Sequence, residues 1–104
     1  MNEQRVAKLK ELLESDPADS FTRYALALEY AGAGELQIAV AYLQQLLERD
    51  PEYVPAYQQL GYNFEKLGRR EEAVAILSRG IEVAMKNGDL HARGEMREAL
   101  DEMK

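Results

Sequence analysis

Apolar residues return along this chain every third or fourth position. Val6, Leu9 and Leu13 stand at i, i+3 and i+7, as do Val40, Leu43 and Leu47, and again Val74, Leu77 and Ile81. Such spacing puts each set on one face of a helix. No stretch alternates with period two, so no strand pattern competes. The pattern predicts helices near residues 2–15, 19–32, 35–49, 54–67, 70–87 and 89–103, an all-α chain of about six helices.

Two kinds of stop separate the helices. Asp16-Pro17 and Asp50-Pro51 end the first and third, because the residue before proline is pushed out of helical geometry and proline lacks the amide hydrogen a helix needs. Gly34 and Gly68 fall where the second and fourth should close, since glycine enters the left-handed region at little steric cost. Glu35 and Glu71-Glu72 then lie near the positive start of the next helix. Lys86-Asn87-Gly88-Asp89 reads as the last turn, with Asp89 as the N-cap of the final helix, and Ser20 reads as a cap for the second.

These signals repeat. Sliding the chain by 34 residues pairs Asp16-Pro17 with Asp50-Pro51, Leu26 with Leu60, Gly34 with Gly68, Ala39-Val40-Ala41 with Ala73-Val74-Ala75, Leu43 with Leu77 and Glu48 with Glu82. Residues 1–17 also match the end of the following unit, Leu12-Leu13-Glu14 against Leu46-Leu47-Glu48, so the chain opens with half a repeat. A helical unit of that length cannot bury its apolar face alone and must stack on its neighbours.

The second unit reads Tyr57-x2-Leu60-Gly61-x2-Phe64, Gly68, Ala73-x3-Leu77, and the first reads Arg23-x2-Leu26-Ala27-x2-Tyr30, Gly34, Ala39-x3-Leu43. This resembles the tetratricopeptide repeat, a helix-turn-helix unit of 34 residues. The resemblance implies antiparallel helix pairs stacked into a right-handed superhelix. It divides one domain, 1–104, into a half repeat at 2–17, repeats at 20–53 and 54–87, and a capping helix at 89–103. Arg23 departs from the family by standing where a large aromatic is usual. Gly80 stands where a small alanine is usual, and Ala84-Met85 replace the Asp-Pro that should end the second unit, so the fifth helix can run longer. Beyond it the signature fades unless the register moves two further residues, when Arg93-x2-Met96 and Leu100 echo Arg23-x2-Leu26 and Tyr30. Leu90, Met96, Ala99, Leu100 and Met103 then form the apolar side of the cap, with Glu95, Arg97, Glu98, Asp101 and Glu102 on its outer side.

The residue types fit close packing. Gly61 with Ala73, and Ala27 with Ala39, supply small residues at the helix crossings, and Leu26, Tyr30, Leu43, Leu60, Phe64 and Leu77 fill the space beside them. In the family, the first helix of each unit lines an inner surface where peptides or helices dock. Carried over, the resemblance places Phe21, Tyr24, Ala25, Leu28 and Ala31 there from the first unit, and Pro55, Gln58, Gln59, Tyr62 and Glu65 from the second. Phe21, Tyr24, Leu28 and Tyr62 lie outside the core signature, so they are either binding anchors or are covered by the first and last helices. Some relatives grip a terminal carboxylate with Lys, Asn and Arg on these positions. Tyr24, Leu28, Gln59 and Tyr62 stand there instead, which suits an amphipathic helix or a neutral apolar segment.

Charge narrows the partner. A net charge of −6 is the wrong sign for releasing counterions from phosphates, so nucleic acid is not expected. No apolar run approaches the roughly 20 residues a membrane span needs, and the N-terminus lacks the apolar core of a secretory signal, so membrane insertion is not expected and the cytoplasm is the default. Chemistry finds no footing either. Cysteine is absent, His91 is the only histidine, and Ser15, Ser20 and Ser78 lack a recognisable base. The carboxylates follow helix-start and solvent-face logic. No catalytic residue, metal or cofactor is expected. The sequence therefore predicts a module that binds another protein, adaptor-like or chaperone-like. The alternatives are a homodimer through its exposed apolar faces and a spacing element of a larger assembly.

Overall fold

The computed structural model describes residues 1–103, and among them six helices and no strand. They are α1 (Glu3–Ser15), α2 (Ser20–Gly32), α3 (Leu36–Arg49), α4 (Val54–Lys66), α5 (Arg70–Lys86) and α6 (Leu90–Glu102). Each packs on the next, and α6 also reaches back to α4. The array measures 39 × 28 × 20 Å.

Local chemistry sets the ends. Asn2, Asp19 and Asp89 each accept a hydrogen bond from the amide three residues on, at Arg5, Thr22 and Ala92, which satisfies a donor the helix leaves orphaned. Asp89 is thus the N-cap expected of it. Ser20 is not a cap: Asp19 takes that place, and the Ser20 hydroxyl donates to Asp50 Oδ2 at 2.8 Å, tying the start of α2 to the end of α3. The Asp-Pro stops use one local geometry twice, with the Asp16 amide donating to Leu12 and the Asp50 amide to Leu46.

The α5–α6 turn is different. Where α1 and α3 leave through Asp-Pro, α5 leaves through Gly88 at φ 73°, and the Asp89 amide closes on the Ala84 carbonyl at 2.8 Å. This is the closure that Gly34 and Gly68 give α2 and α4, with Glu35 bonded to Tyr30 and Arg69 to Phe64. Without proline α5 runs to 17 residues. The burial pattern follows the two-residue shift: Thr22, Ala56 and Ala92 are buried in step, as are Leu26, Leu60 and Met96.

The core has two parts. Val6, Leu26, Tyr30 and Ala39 join α1 to the α2–α3 pair, with Tyr30 stacked on Tyr42 at 5.6 Å between centroids. A larger cluster containing Leu43, Tyr57, Leu60, Phe64, Ala73, Leu77 and Met96 runs from α3 to α6. Gly61 is a crossing point, since a Cβ there would stand 2.5 Å from the Leu77 side chain.

Two apolar expectations fail. Val74 is 38% exposed, whereas its counterpart Val40 is buried in the larger core cluster. Leu90, read as part of the cap's apolar side, is 69% exposed. Its counterpart Ser20 leans on the end of the helix that follows its own, and no described helix follows α6.

Candidate functional site

Alternate helices face the same way. One side of α2 presents Phe21, Tyr24, Ala25, Leu28 and Ala31, with Tyr24 and Ala31 also packed against the core, and the matching side of α4 presents Pro55, Gln58, Gln59, Tyr62 and Glu65, each row at helical spacing. Phe21 is 70% exposed and Leu28 40% exposed, so neither is covered by the chain's own ends. Tyr24, Gln58, Gln59 and Tyr62 are half-buried, and Glu65 is exposed.

Some of these side chains meet. Gln58 Nε2 donates to the Tyr62 hydroxyl at 2.8 Å, which holds both along one turn of α4. Tyr24 reaches toward the start of α4. It packs against Tyr53, with centroids 5.4 Å apart and planes tilted by 53°. Burial raises the phenol pKa of both tyrosines, with a further push on Tyr53 from the Asp50 and Asp19 carboxylates. Tyr53 bridges the α2 and α4 rows and carried no sequence signal, because it precedes α4 and belongs to no periodic set.

The row continues on α6. The two-residue shift sets Gly94, Glu95 and Glu98 against Gln58, Gln59 and Tyr62. These glutamates, assigned from sequence to the outer side of a cap, extend the same face. Glu95 Oε1 lies 3.2 Å from His91 Nε2, and His91 is exposed.

A cleft of about 820 Å³ opens on the other side of α4. Tyr57, Leu60 and Phe64 form its floor, Leu47 and Glu48 of α3 one wall, and Ile76 and Arg79 of α5 the other. It forms where α3 and α5, both packed on α4, stand apart from each other. Nothing in the periodicity announced it. On the rim, Arg69 pairs with Glu72 at 2.6 Å and lies over the Phe64 ring at 4.6 Å. That pairing raises the Arg69 pKa and lowers the Glu72 pKa.

Among the described residues, no group of three or more His, Asp or Glu side chains is placed to hold a metal ion. No helix among them is long and apolar enough to cross a membrane.

The architecture has known counterparts. A tetratricopeptide repeat domain protein from Salinibacter ruber, solved both in solution and as a crystal, is 38% identical. The solution structure superposes with a TM-score of 0.80, covering 86% of this chain and 90% of that one. The crystal structure gives 0.78, covering 82% and 94%. A Bordetella parapertussis protein, 24% identical, shares the fold at a TM-score of 0.83 over 94% of this chain and 85% of its own. A TPR repeat-containing protein of Pseudomonas aeruginosa is 28% identical over 88 residues, 85% of this chain and 84% of the relative. Residues 30–93 match the tetratricopeptide repeat itself. With the period, the paired helices and the small residues at the crossings already established, this chain belongs to the tetratricopeptide repeat family.

Proposed function

We propose that the chain is a non-catalytic, protein-binding module whose α2–α4 face takes up a segment of another protein, in an adaptor-like or chaperone-like role. One observation supports it most: Phe21 and Leu28, neither needed by the core, stand in solvent beside half-buried Tyr24 and Tyr62. Apolar side chains grouped on one face and spared from packing are what a binding anchor requires. The Gln58–Tyr62 hydrogen bond preorganises part of that face, which lowers the entropy lost on binding.

The outer cleft supports a second reading, because its volume falls within the range of ligand-sized pockets, roughly 300–1,000 Å³. Paired variants separate the two. Partner capture with Leu28→Ser plus Tyr62→Ala is expected to fall, and capture with Glu48→Lys plus Arg79→Glu is expected to stay. The reverse result would move the binding surface to the outer cleft. Light scattering addresses the homodimer, since a monomer mass at every concentration removes it.

A further inference from the structure

The three rows of the inner face differ in chemistry. On α2 the row is Phe21, Tyr24, Ala25, Leu28 and Ala31, with no charge, and on α4 it is Pro55, Gln58, Gln59 and Tyr62 before Glu65. On α6 the corresponding positions hold His91, Gly94, Glu95 and Glu98, with Glu102 one turn on; all three glutamates are exposed, and Glu95 lies 3.2 Å from His91. The face therefore runs from apolar through amide to acidic. The chain's net charge of −6 reinforces the acidic end.

Gly94 is a separate observation. A glycine inside a helix costs about 1 kcal/mol relative to alanine, and structures keep one where φ is positive or a neighbour leaves no room. Gly61 and Gly80 are of the second kind, with atoms 2.5 and 2.6 Å from an added Cβ. Gly94 is of neither kind: its φ is not positive, and an added Cβ would meet nothing within 4 Å. Gly32, at the end of α2, is likewise of neither kind, but Gly94 stands where the other rows carry Tyr24 and Gln58, so the backbone of α6 is bare to solvent at the acidic end.

We propose that the inner face takes an amphipathic peptide helix that is apolar at one end and basic at the other. The apolar end lies on Phe21 and Leu28, and the Lys or Arg side chains lie on Glu95, Glu98 and Glu102. The peptide backbone crosses close to α6 at Gly94. This rests on the inner-face reading of the preceding section and adds the polarity of the ligand. Charge complementarity at one end fixes the direction in which a partner lies, and apolar contact at the other supplies most of the affinity.

The probe is a displayed library of random peptides of about 16 residues, which as a helix span ~24 Å, comparable with the 28 Å middle dimension of the array. Selection on the wild-type protein should enrich peptides with leucine or aromatic residues toward one end and Lys or Arg toward the other. Their affinity should fall about tenfold on E95Q/E98Q/E102Q, and also near 1 M salt, where the Debye length is ~3 Å. Gly94→Leu should bind about tenfold more weakly while melting no lower than wild type, which separates lost backbone approach from lost folding. Selected peptides without a basic end, or indifferent to the glutamine variant, overturn the polarity but leave the inner-face reading standing if Leu28→Ser still weakens them. Unchanged affinity of Gly94→Leu overturns the close crossing. Peptides that bind Leu28→Ser plus Tyr62→Ala as well as wild type overturn the inner face and the polarity together. A failure to enrich any peptide, with light scattering showing a dimer, puts a second copy on the inner face and overturns the proposal.

Discussion

Arg23 and Tyr57 occupy equivalent places in successive repeats and perform the same task with different chemistry. Arg23 Nη1 donates to the Pro17 carbonyl at 2.7 Å, and the Tyr57 hydroxyl donates to the Pro51 carbonyl at 2.7 Å. The Asp-Pro dipeptide therefore ends one helix and also presents a carbonyl that the next helix grips six residues later. The exchange has a cost. Arg23 is 6% exposed, its Nε has no protein partner, and burial together with the nearby Arg49 lowers its pKa. Arg49 Nη1 reaches the same carbonyl at 3.3 Å.

Arg23→Tyr should restore the tyrosine contact and remove a buried charge, leaving stability equal or higher. Arg23→Ala should cost about 2 kcal/mol, from a charge-assisted hydrogen bond and the packing of the stem. Tyr57→Phe should cost about 1 kcal/mol by leaving the Pro51 carbonyl unpaired. Urea unfolding of the three variants measures the order, and a destabilised Arg23→Tyr would refute the equivalence.

The buried glycines predict a ranking. Gly80→Ala places a methyl 2.6 Å from the Tyr57 Cβ, an atom fixed to the backbone, whereas the Gly61 methyl meets Leu77 Cγ and Cδ2 at 2.5 Å, atoms that a change of side-chain torsion can move. Gly80→Ala is therefore expected to lose about 2 kcal/mol and Gly61→Ala about 1 kcal/mol, within the usual cost of overpacking. Thermal melts in the opposite order would mean that Leu77 has less room to yield than Tyr57.

Acid should loosen the start of α2. The Thr22 hydroxyl, and then its amide, hold the Asp19 carboxyl below its ordinary value of 3.8. A carboxyl depressed by folding stabilises the fold above its unfolded pKa, and that contribution disappears as pH falls through the folded value. Between about pH 5 and about pH 2 the urea midpoint should drop, less steeply in Asp19→Asn, which keeps a capping side chain but no longer titrates. Parallel slopes in the two proteins would show that Asp19 does not contribute.

Opening should begin at α1. It packs chiefly on α2, Val6 is its one buried residue, and Leu9 and Leu13 are half-covered. The Arg5–Glu29 pair at 2.7 Å adds at most about 1 kcal/mol, because Arg5 is largely in solvent. Hydrogen exchange should therefore be fastest in α1 and slowest in α4, and Arg5→Ala should speed exchange in α1 alone. Uniform protection from α1 to α5 would contradict this gradient.

Six helices, their stops and the 34-residue period were legible in the sequence because each depends on neighbours a few residues away. Periodicity marks a face, proline and glycine mark an end, and a carboxylate or amide marks a start. The two-residue shift at α6 could be read from Arg93, Met96 and Leu100 for the same reason. The exposure of Val74 and Leu90, the bridge from Tyr24 to Tyr53, and the cleft between α3 and α5 could not. They depend on how the helices pack on one another and how widely alternate helices spread. The sequence determined which residues face inward on each helix. Only the tertiary structure decided which outward faces join into one surface, because that follows from the distances and angles between helices, set by all their contacts together.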